Sequence, residues 1–335
     1  MNNNCYFEHE DKVINEDNRF KRVMAITLDK NSNYKKGLVR CITSRDGNVD
    51  RSQLFKVEGD SLDHFEILDI LNIKNEIEII NNLTDKGWDF IGLEDPDIWY
   101  DEINNHYHIY FTIPIRPLSK EKGQEIKIHL GHAQGRSLDS LEMTQPVLFA
   151  NEKFYAKEVS IAPINKGGFR YNLVESRDRQ ESTTYSVIQV AIAEDMGETW
   201  KYGDIVFHPQ KHSIPWIAAH ASPGPLFPKD FIDVGEGKML GIINGREANK
   251  KIGEKVIYGT FSIGLFIYDY EYGKIDWVSP EPFIRDSGAK TITFASQFVR
   301  TNKSEGILYA HVDDSFVRAY ALYAAKIKEY LLKNV

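Results

Sequence analysis

The chain has 335 residues, 42% of them hydrophobic and 27% charged, which supplies enough apolar material for a sizeable core and excludes an extensively disordered chain. Its 49 acidic and 41 basic residues leave a net charge of −8, excluding a general attraction to nucleic acid or an anionic membrane surface while suiting neutral sugars. The two cysteines, Cys5 and Cys41, have no metal-ligand spacing and build no disulfide framework, so both read as free thiols.

Taken from the start, MNNNCYFEHE lacks the basic opening and apolar run of a signal peptide. No later apolar stretch approaches the roughly 20 residues that a membrane span needs. A cytoplasmic location is the expectation.

Runs rich in Val, Ile, Phe, Tyr and Thr then predict strands over 22–28, 38–43, 108–113, 171–175, 186–192, 238–244, 256–267 and 306–311. Turn clusters such as Lys166-Gly167-Gly168 and Asp233-Val234-Gly235-Glu236-Gly237 separate them. Only residues 318–332 have a helical pattern, and the first half of that stretch also reads as a closing strand. The fold class is all-β.

The runs repeat. A polar, Pro-containing segment, an apolar strand and a further strand recur from Glu94-Asp95-Pro96, Glu158-Val159-Ser160, Ser222-Pro223-Gly224 and Thr293-Phe294-Ala295, about 63 to 72 residues apart. That spacing suits four-stranded blades, and the first ~90 residues leave room for one more. The expectation is a single five-bladed β-propeller domain over 1–335, with a short C-terminal helix near 322–333. Asp95, Glu158, Ser222 and Phe294 would then lie at comparable places near a central funnel.

Gly92-Leu93-Glu94-Asp95-Pro96-Asp97-Ile98 is the segment with the clearest chemical content. Several carboxylates beside a Pro, just before an apolar strand, repel one another and make poor sheet, so a use other than stability is indicated; a solvated acidic turn is the bland alternative. Here the sequence resembles glycoside hydrolase family 130, the mannoside phosphorylases and mannosidases, whose hallmark is Gly-x-Glu-Asp-Pro-Arg before a strand. It is similar, more loosely, to the propeller glycosidases of families 43 and 32. The resemblance implies a five-bladed propeller, sugar substrates and usually, as in families 43 and 130, inverting chemistry. The family's general acid maps onto Asp95. This chain has Asp97 where the family has Arg, and a carboxylate there would repel phosphate, so water is the expected co-substrate.

Glycoside cleavage usually needs two carboxyl groups. The second candidate is Glu158, which occupies the place of Asp95 in the next repeat, with Lys157 beside it to orient a carboxylate or bind a hydroxyl. Asp95 is expected to have a raised pKa through repulsion by Glu94 and Asp97. An inverting pair would be separated by about 6.5 to 9.5 Å. Further substrate-binding candidates are Glu175 at a strand end, His220 and Trp216 before the third repeat, and Arg45 and Arg246 after their strands. Each has a structural alternative in a salt bridge, a satisfied histidine, core packing or a solvated end. The Glu-Gly-Pro of family 43 is incomplete here, since Pro223 stands where its Glu would be.

Asp195-Met196-Gly197-Glu198-Thr199-Trp200 resembles the Asp-box turn of sialidases and other propellers, a structural hairpin signature. His106 and His108 share a strand face but lack an evident third zinc ligand, and no phosphate loop or His-Glu-x-x-His occurs. No metal or cofactor is expected. The reading is a glycosidase acting on a neutral oligosaccharide, with a mannoside as the candidate substrate. The competing classes are a glycoside phosphorylase and a non-catalytic propeller that binds glycans or proteins. A sialidase-like activity would need an arginine cluster that the sequence does not assemble.

Overall fold

The structure, a computed structural model, describes residues 6–9, 11–14, 17–47, 49–84, 87–119, 125–181, 183–253 and 255–335; Cys5 lies outside them. The fold is all-β. β-Branched and aromatic runs form long antiparallel strands, as in His106–Pro117, where Ile109, Phe111, Ile113 and Ile115 are all buried.

Four-stranded antiparallel groups follow one another along the chain. The first runs through Arg22–Leu28, Lys36–Asp46, Val49–Ser61 and His64–Ile70. The second takes Glu94–Asp101, His106–Pro117, Lys127–Gly135 and Leu141–Met143, with Trp88–Phe90 and Ile73–Lys74 added at its margins. Lys157–Ser160, Arg170–Gln180, Thr183–Ala193 and Lys201–Phe207 make the third. The fourth consists of His220–Leu226, Lys238–Arg246, Phe261–Asp269 and Lys274–Val278. A single parallel bridge, Ser186 to His220, links the third and fourth.

The last group is assembled from both ends of the chain. Thr293–Arg300, Glu305–Val312 and Phe316–Tyr323 pair in order, and Tyr6–Glu8 adds the fourth strand, with Tyr6 opposite Leu322 and Glu8 opposite Tyr320. Apolar clusters fill the spaces between groups; one joins Ile242 and Leu265 to Leu308 and Tyr320, and another joins Ile26 and Val39 to Tyr309 and Val317.

A β-bulge interrupts the first strand of each of these groups. It falls between Met24 and Ile26, Glu94 and Asp97, Lys157 and Val159, Pro223 and Leu226, and Ala295 and Gln297. Ala25, Asp95 and Glu158 take φ values of 52°, 48° and 51° there, a left-handed conformation that non-glycine residues seldom adopt. The expected equivalence of Ser222 and Phe294 with Asp95 is therefore about two residues early. The bulges match Asp95 and Glu158 with Ala25, Gly224 and Ser296.

Residues 256–267 are not one strand. Lys250–Ile252 and Lys255–Ile257 form a separate exposed hairpin, and a new strand begins at Phe261. The break coincides with Gly259, where an added Cβ would lie 2.0 Å from the Glu247 carbonyl oxygen. At the end of the chain, Phe316–Tyr323 is a strand and the helix begins at Ala324, running to Asn334. A short helix, Glu76–Leu83, was not signalled by the periodicity. Among the described residues no helix is long and apolar enough to cross a membrane.

Candidate active site

The bulges place polar side chains from successive groups near one another. Gly92 starts this arrangement: its φ is +152°, and a Cβ there would lie 2.1 Å from the Ser52 carbonyl oxygen. Only glycine lets the chain pass so close. The approach brings the Ser52 hydroxyl onto Glu94 Oε1 at 3.0 Å.

Arg40 holds both neighbouring carboxylates. Its Nη2 donates to Glu94 Oε1 at 2.6 Å, its Nη1 to Asp95 Oδ1 at 2.8 Å and its Nε to Ser52 Oγ at 3.1 Å. Burial by itself would raise Asp95, but the charges of Arg40 and then Lys157 outweigh it and hold the carboxyl below its ordinary range. The upward shift expected for Asp95 is thus reversed. Glu94, by contrast, is raised by burial despite the pull of Arg40.

Glu158 lies within hydrogen-bonding reach of Asp95. Burial, and next the Asp95 charge, push its carboxyl well above the ordinary value against the pull of Lys157. Two carboxyls this close cannot both ionise readily, so the pair titrates as one coupled system in which Glu158 is the member pushed upward.

Lys157 and His220 are held by Glu175, whose side chain is wholly buried. Lys157 Nζ is 3.6 Å from Glu175 Oε1 and His220 Nε2 is 3.0 Å from Oε2, while the Tyr155 hydroxyl donates to Oε1 at 3.3 Å. Against the upward effect of burial, His220 and Lys157 bring Glu175 down to about 2. The ammonium of Lys157 is stabilised in turn, chiefly by Glu175, over the opposing effect of burial. Glu175 is therefore a buried anion joining the Lys157 ammonium to the His220 ring, and not the solvated strand end of the bland reading.

The other candidates are placed differently. Asp97 is two residues from Asp95, and unbroken alternation would give them one face; the bulge separates them. Asp97 instead lines a cavity of about 250 Å³ that also touches Glu158, Ser160, Gly224 and Ser296. Burial pushes it up to about 7. The charges that set the Asp95 pKa are chiefly those of Arg40 and Lys157.

Trp216 is 4% exposed and donates from Nε1 to the Ser279 carbonyl oxygen at 3.0 Å. Its ring lies against Gly245 and Gly264, where added Cβ atoms would come within 2.5 and 2.4 Å; it is core, not a sugar platform. Arg45 is also outside the site, half exposed beside Asp50 at 3.5 Å. Arg246 stands at the margin, opposite His220 in register, 5.7 Å above the Phe261 ring and bonded to Asn249.

Residues that the sequence reading passed over complete the surroundings. Arg40 is the largest omission, although a lone charge within Leu38-Val39-Arg40-Cys41-Ile42 was a usable signal. His311, stacked on Phe294 and 3.2 Å from Asp314, contributes charge that Asp95 feels. The Asp-box turn behaves structurally: Asp195 Oδ1 accepts from Gly197 N, and the buried Trp200 donates to the Asp195 carbonyl oxygen. Thr199 is exposed. His108 is turned toward His132, with 3.0 Å between Nδ1 and Nε2. Among the described residues no group of three or more His, Cys, Asp or Glu side chains could hold a metal ion.

No family model and no curated protein sequence matches this chain. Solved structures do. A β-1,2-mannobiose phosphorylase from Listeria innocua, complexed with β-1,2-mannobiose, is 14% identical, with a TM-score of 0.66 and 100% of each chain covered. A mannose phosphorylase from Leishmania mexicana, in complex with phosphate ion, is 15% identical, with a TM-score of 0.58, covering 96% of this chain and 90% of the other. A structure from work on β-1,2-mannoside-targeting hydrolases within family 130 is 16% identical, with a TM-score of 0.60 and coverages of 90% and 84%. At these identities the likeness is one of fold. The chain has an all-β fold shared with solved carbohydrate-active enzymes. It is similar in fold to the mannoside phosphorylases and hydrolases of glycoside hydrolase family 130.

Proposed function

We propose that this protein is a single-domain, five-bladed β-propeller glycosidase that hydrolyses a neutral oligosaccharide, with a mannoside as its substrate class and Asp95 and Glu158 as its catalytic pair. The observation that carries this reading is the close approach of the two carboxyls, with Arg40 bonded to Asp95 at 2.8 Å and Glu158 pushed upward by burial and by the Asp95 charge. Five bulged strands support the blade count, and the small residues Ala25, Gly224 and Ser296 at the equivalent positions leave room beside the pair. The family 130 motif and the fold likeness support the substrate class.

Bond cleavage requires a proton on the leaving oxygen and a base for water. Glu158 holds the proton, so it can protonate a glycosidic oxygen directly or by way of Asp95 and a substrate hydroxyl. Asp95, once it has no proton to pass on, can accept one from water. A bound substrate must part the two carboxyls, because even a retaining pair is separated by about 5 Å. Lys157, positioned by Glu175, offers donors to substrate hydroxyls.

Water is favoured over phosphate for a reason unlike the one given by the motif. Both cations beside the pair are already matched: Arg40 by Glu94 and Asp95, Lys157 by Glu175. A phosphate would have to compete with these carboxylates for the same cations. Incubation with manno-oligosaccharides, with and without phosphate, tests the reading. Free sugar as the main product supports it, whereas predominant sugar 1-phosphate makes the protein a phosphorylase. No cleavage across a broad panel of neutral glycosides would sink the catalytic assignment.

A further inference from the structure

We propose that His220, Phe261, Phe294 and His311 form one continuous wall that binds the apolar face of a neutral pyranose ring and holds it against the Asp95 and Glu158 carboxyls. This deepens the glycosidase reading and rests on it. The wall joins two adjacent four-stranded groups. His220 meets Phe261 edge-on at a centroid distance of 4.9 Å, Phe261 lies 5.9 Å from Phe294, and Phe294 stacks on His311 at 5.1 Å with 12° between planes.

Each end of this row is fastened to the carboxylate machinery. His220 is tied to Glu175 at 3.0 Å, and through Glu175 to Lys157. His311 is tied to Asp314 at 3.2 Å, and Asp314 in turn feels the charge of Arg40, which is bonded to Asp95. The register keeps the four rings at one level: His220 is opposite Arg246, Arg246 opposite Phe261, and Phe294 opposite His311.

Two features distinguish the wall from ordinary packing. Phe261 and Phe294 stand outside the apolar clusters that fill the spaces between groups, although Phe294 is only 7% exposed. His311 is also 7% exposed, and its Nδ1 is buried with no hydrogen-bond partner in the protein. An orphaned buried nitrogen calls for a partner, and a sugar hydroxyl reaching it after a small ring movement would supply one. Aromatic faces combined with a few fixed polar groups are the usual lining of a small-molecule site. The carboxylates at both ends are already paired to the histidines, which suits an uncharged ring.

The test uses the full chain with Phe261→Ala, Phe294→Ala, Phe294→Leu and His311→Ala. KM and kcat are measured on a manno-oligosaccharide, and sugar affinity is measured by calorimetry independently of turnover. Removing one stacking face should raise KM and Kd about tenfold with little change in kcat, while Phe294→Leu should lose less than Phe294→Ala. Thermal melts identify variants that fail to fold; Phe261, the more exposed ring, keeps the test usable if Phe294→Ala unfolds. Unchanged Kd in folded Phe261→Ala and Phe294→Leu overturns the wall even if the wild type cleaves glycosides. Weakened binding in these variants, with a wild type that binds sugar but cleaves none, upholds the wall and rejects the catalytic reading. A wild type that binds no neutral sugar rejects both.

Discussion

Asp95 and Glu158 are the bulged residues of consecutive first strands, share a left-handed backbone conformation with φ of 48° and 51°, and bring their carboxyls within hydrogen-bonding reach. Their bulges turn a sequence repeat into a chemical pair. Neither residue alone has the environment of an acid catalyst, since each sets the protonation state of the other.

Asp95→Asn and Glu158→Gln should each reduce turnover on a manno-oligosaccharide by about 10²-fold or more, the usual contribution of a positioned acid or base. Both variants keep the side-chain shape, so far-UV circular dichroism should match the wild type. Near-native turnover of an unactivated substrate by either variant would remove that residue from the pair.

The pH profile follows from the two opposite shifts. Asp95 must be ionised and is held below the ordinary carboxylate range, so the acid limb of kcat/KM should lie below about pH 4. Glu158 must keep its proton and is raised, so activity should fall only as pH rises through its folded value. Activity should therefore hold level between the two limbs, with the ordinary carboxylate range inside the plateau. A profile that peaks within that range and falls on both sides of it contradicts this arrangement.

Arg40→Met should be strongly destabilising, because it leaves Glu94 and Asp95 as uncompensated, largely buried carboxylates; breaking such a pair typically costs about 3–5 kcal/mol. Urea denaturation at neutral pH measures the loss. Part of it should be recovered at low pH, where the orphaned carboxylates protonate. A loss that does not shrink on acidification means that Arg40 acts through packing alone.

Acid lability should come from the histidines of the second group. Burial brings His132 down to about 3 and His129 to about 4. A histidine with a depressed folded pKa binds fewer protons folded than unfolded, so its stability contribution is complete above the unfolded value near 6.5 and is lost as pH falls toward the folded value. The midpoint in urea should therefore decline from about pH 6.5 downward. His132→Asn should flatten that slope; an unaltered slope assigns the acid sensitivity elsewhere.

Much of this was legible in the sequence, and the exceptions share a cause. Strands, turns and the repeat follow from residue patterns, and Glu94-Asp95 was conspicuous because like charges oppose sheet formation. The setting of Asp97 was not legible because simple alternation gives no sign of a bulge, and one inserted residue reverses the face of those beyond it. Trp216 was misread because its packing surface is made by Gly245 and Gly264, distant in sequence and without side chains of their own. Arg40 and His311 come from strands that face Asp95 only once the groups are assembled.

The pairing of Tyr6–Glu8 with Phe316–Tyr323 also sets a timetable. Roughly 300 residues separate the two strands, and synthesis at ~5–20 residues per second makes the earlier one wait about 15 to 60 seconds for its partner. During that interval the segment is an unpaired strand with the exposed Phe7, open to the edge of any neighbouring chain. The yield of correctly closed protein should thus depend on how fast the intervening sheets form and on how crowded the nascent chains are, even where the finished molecule is stable.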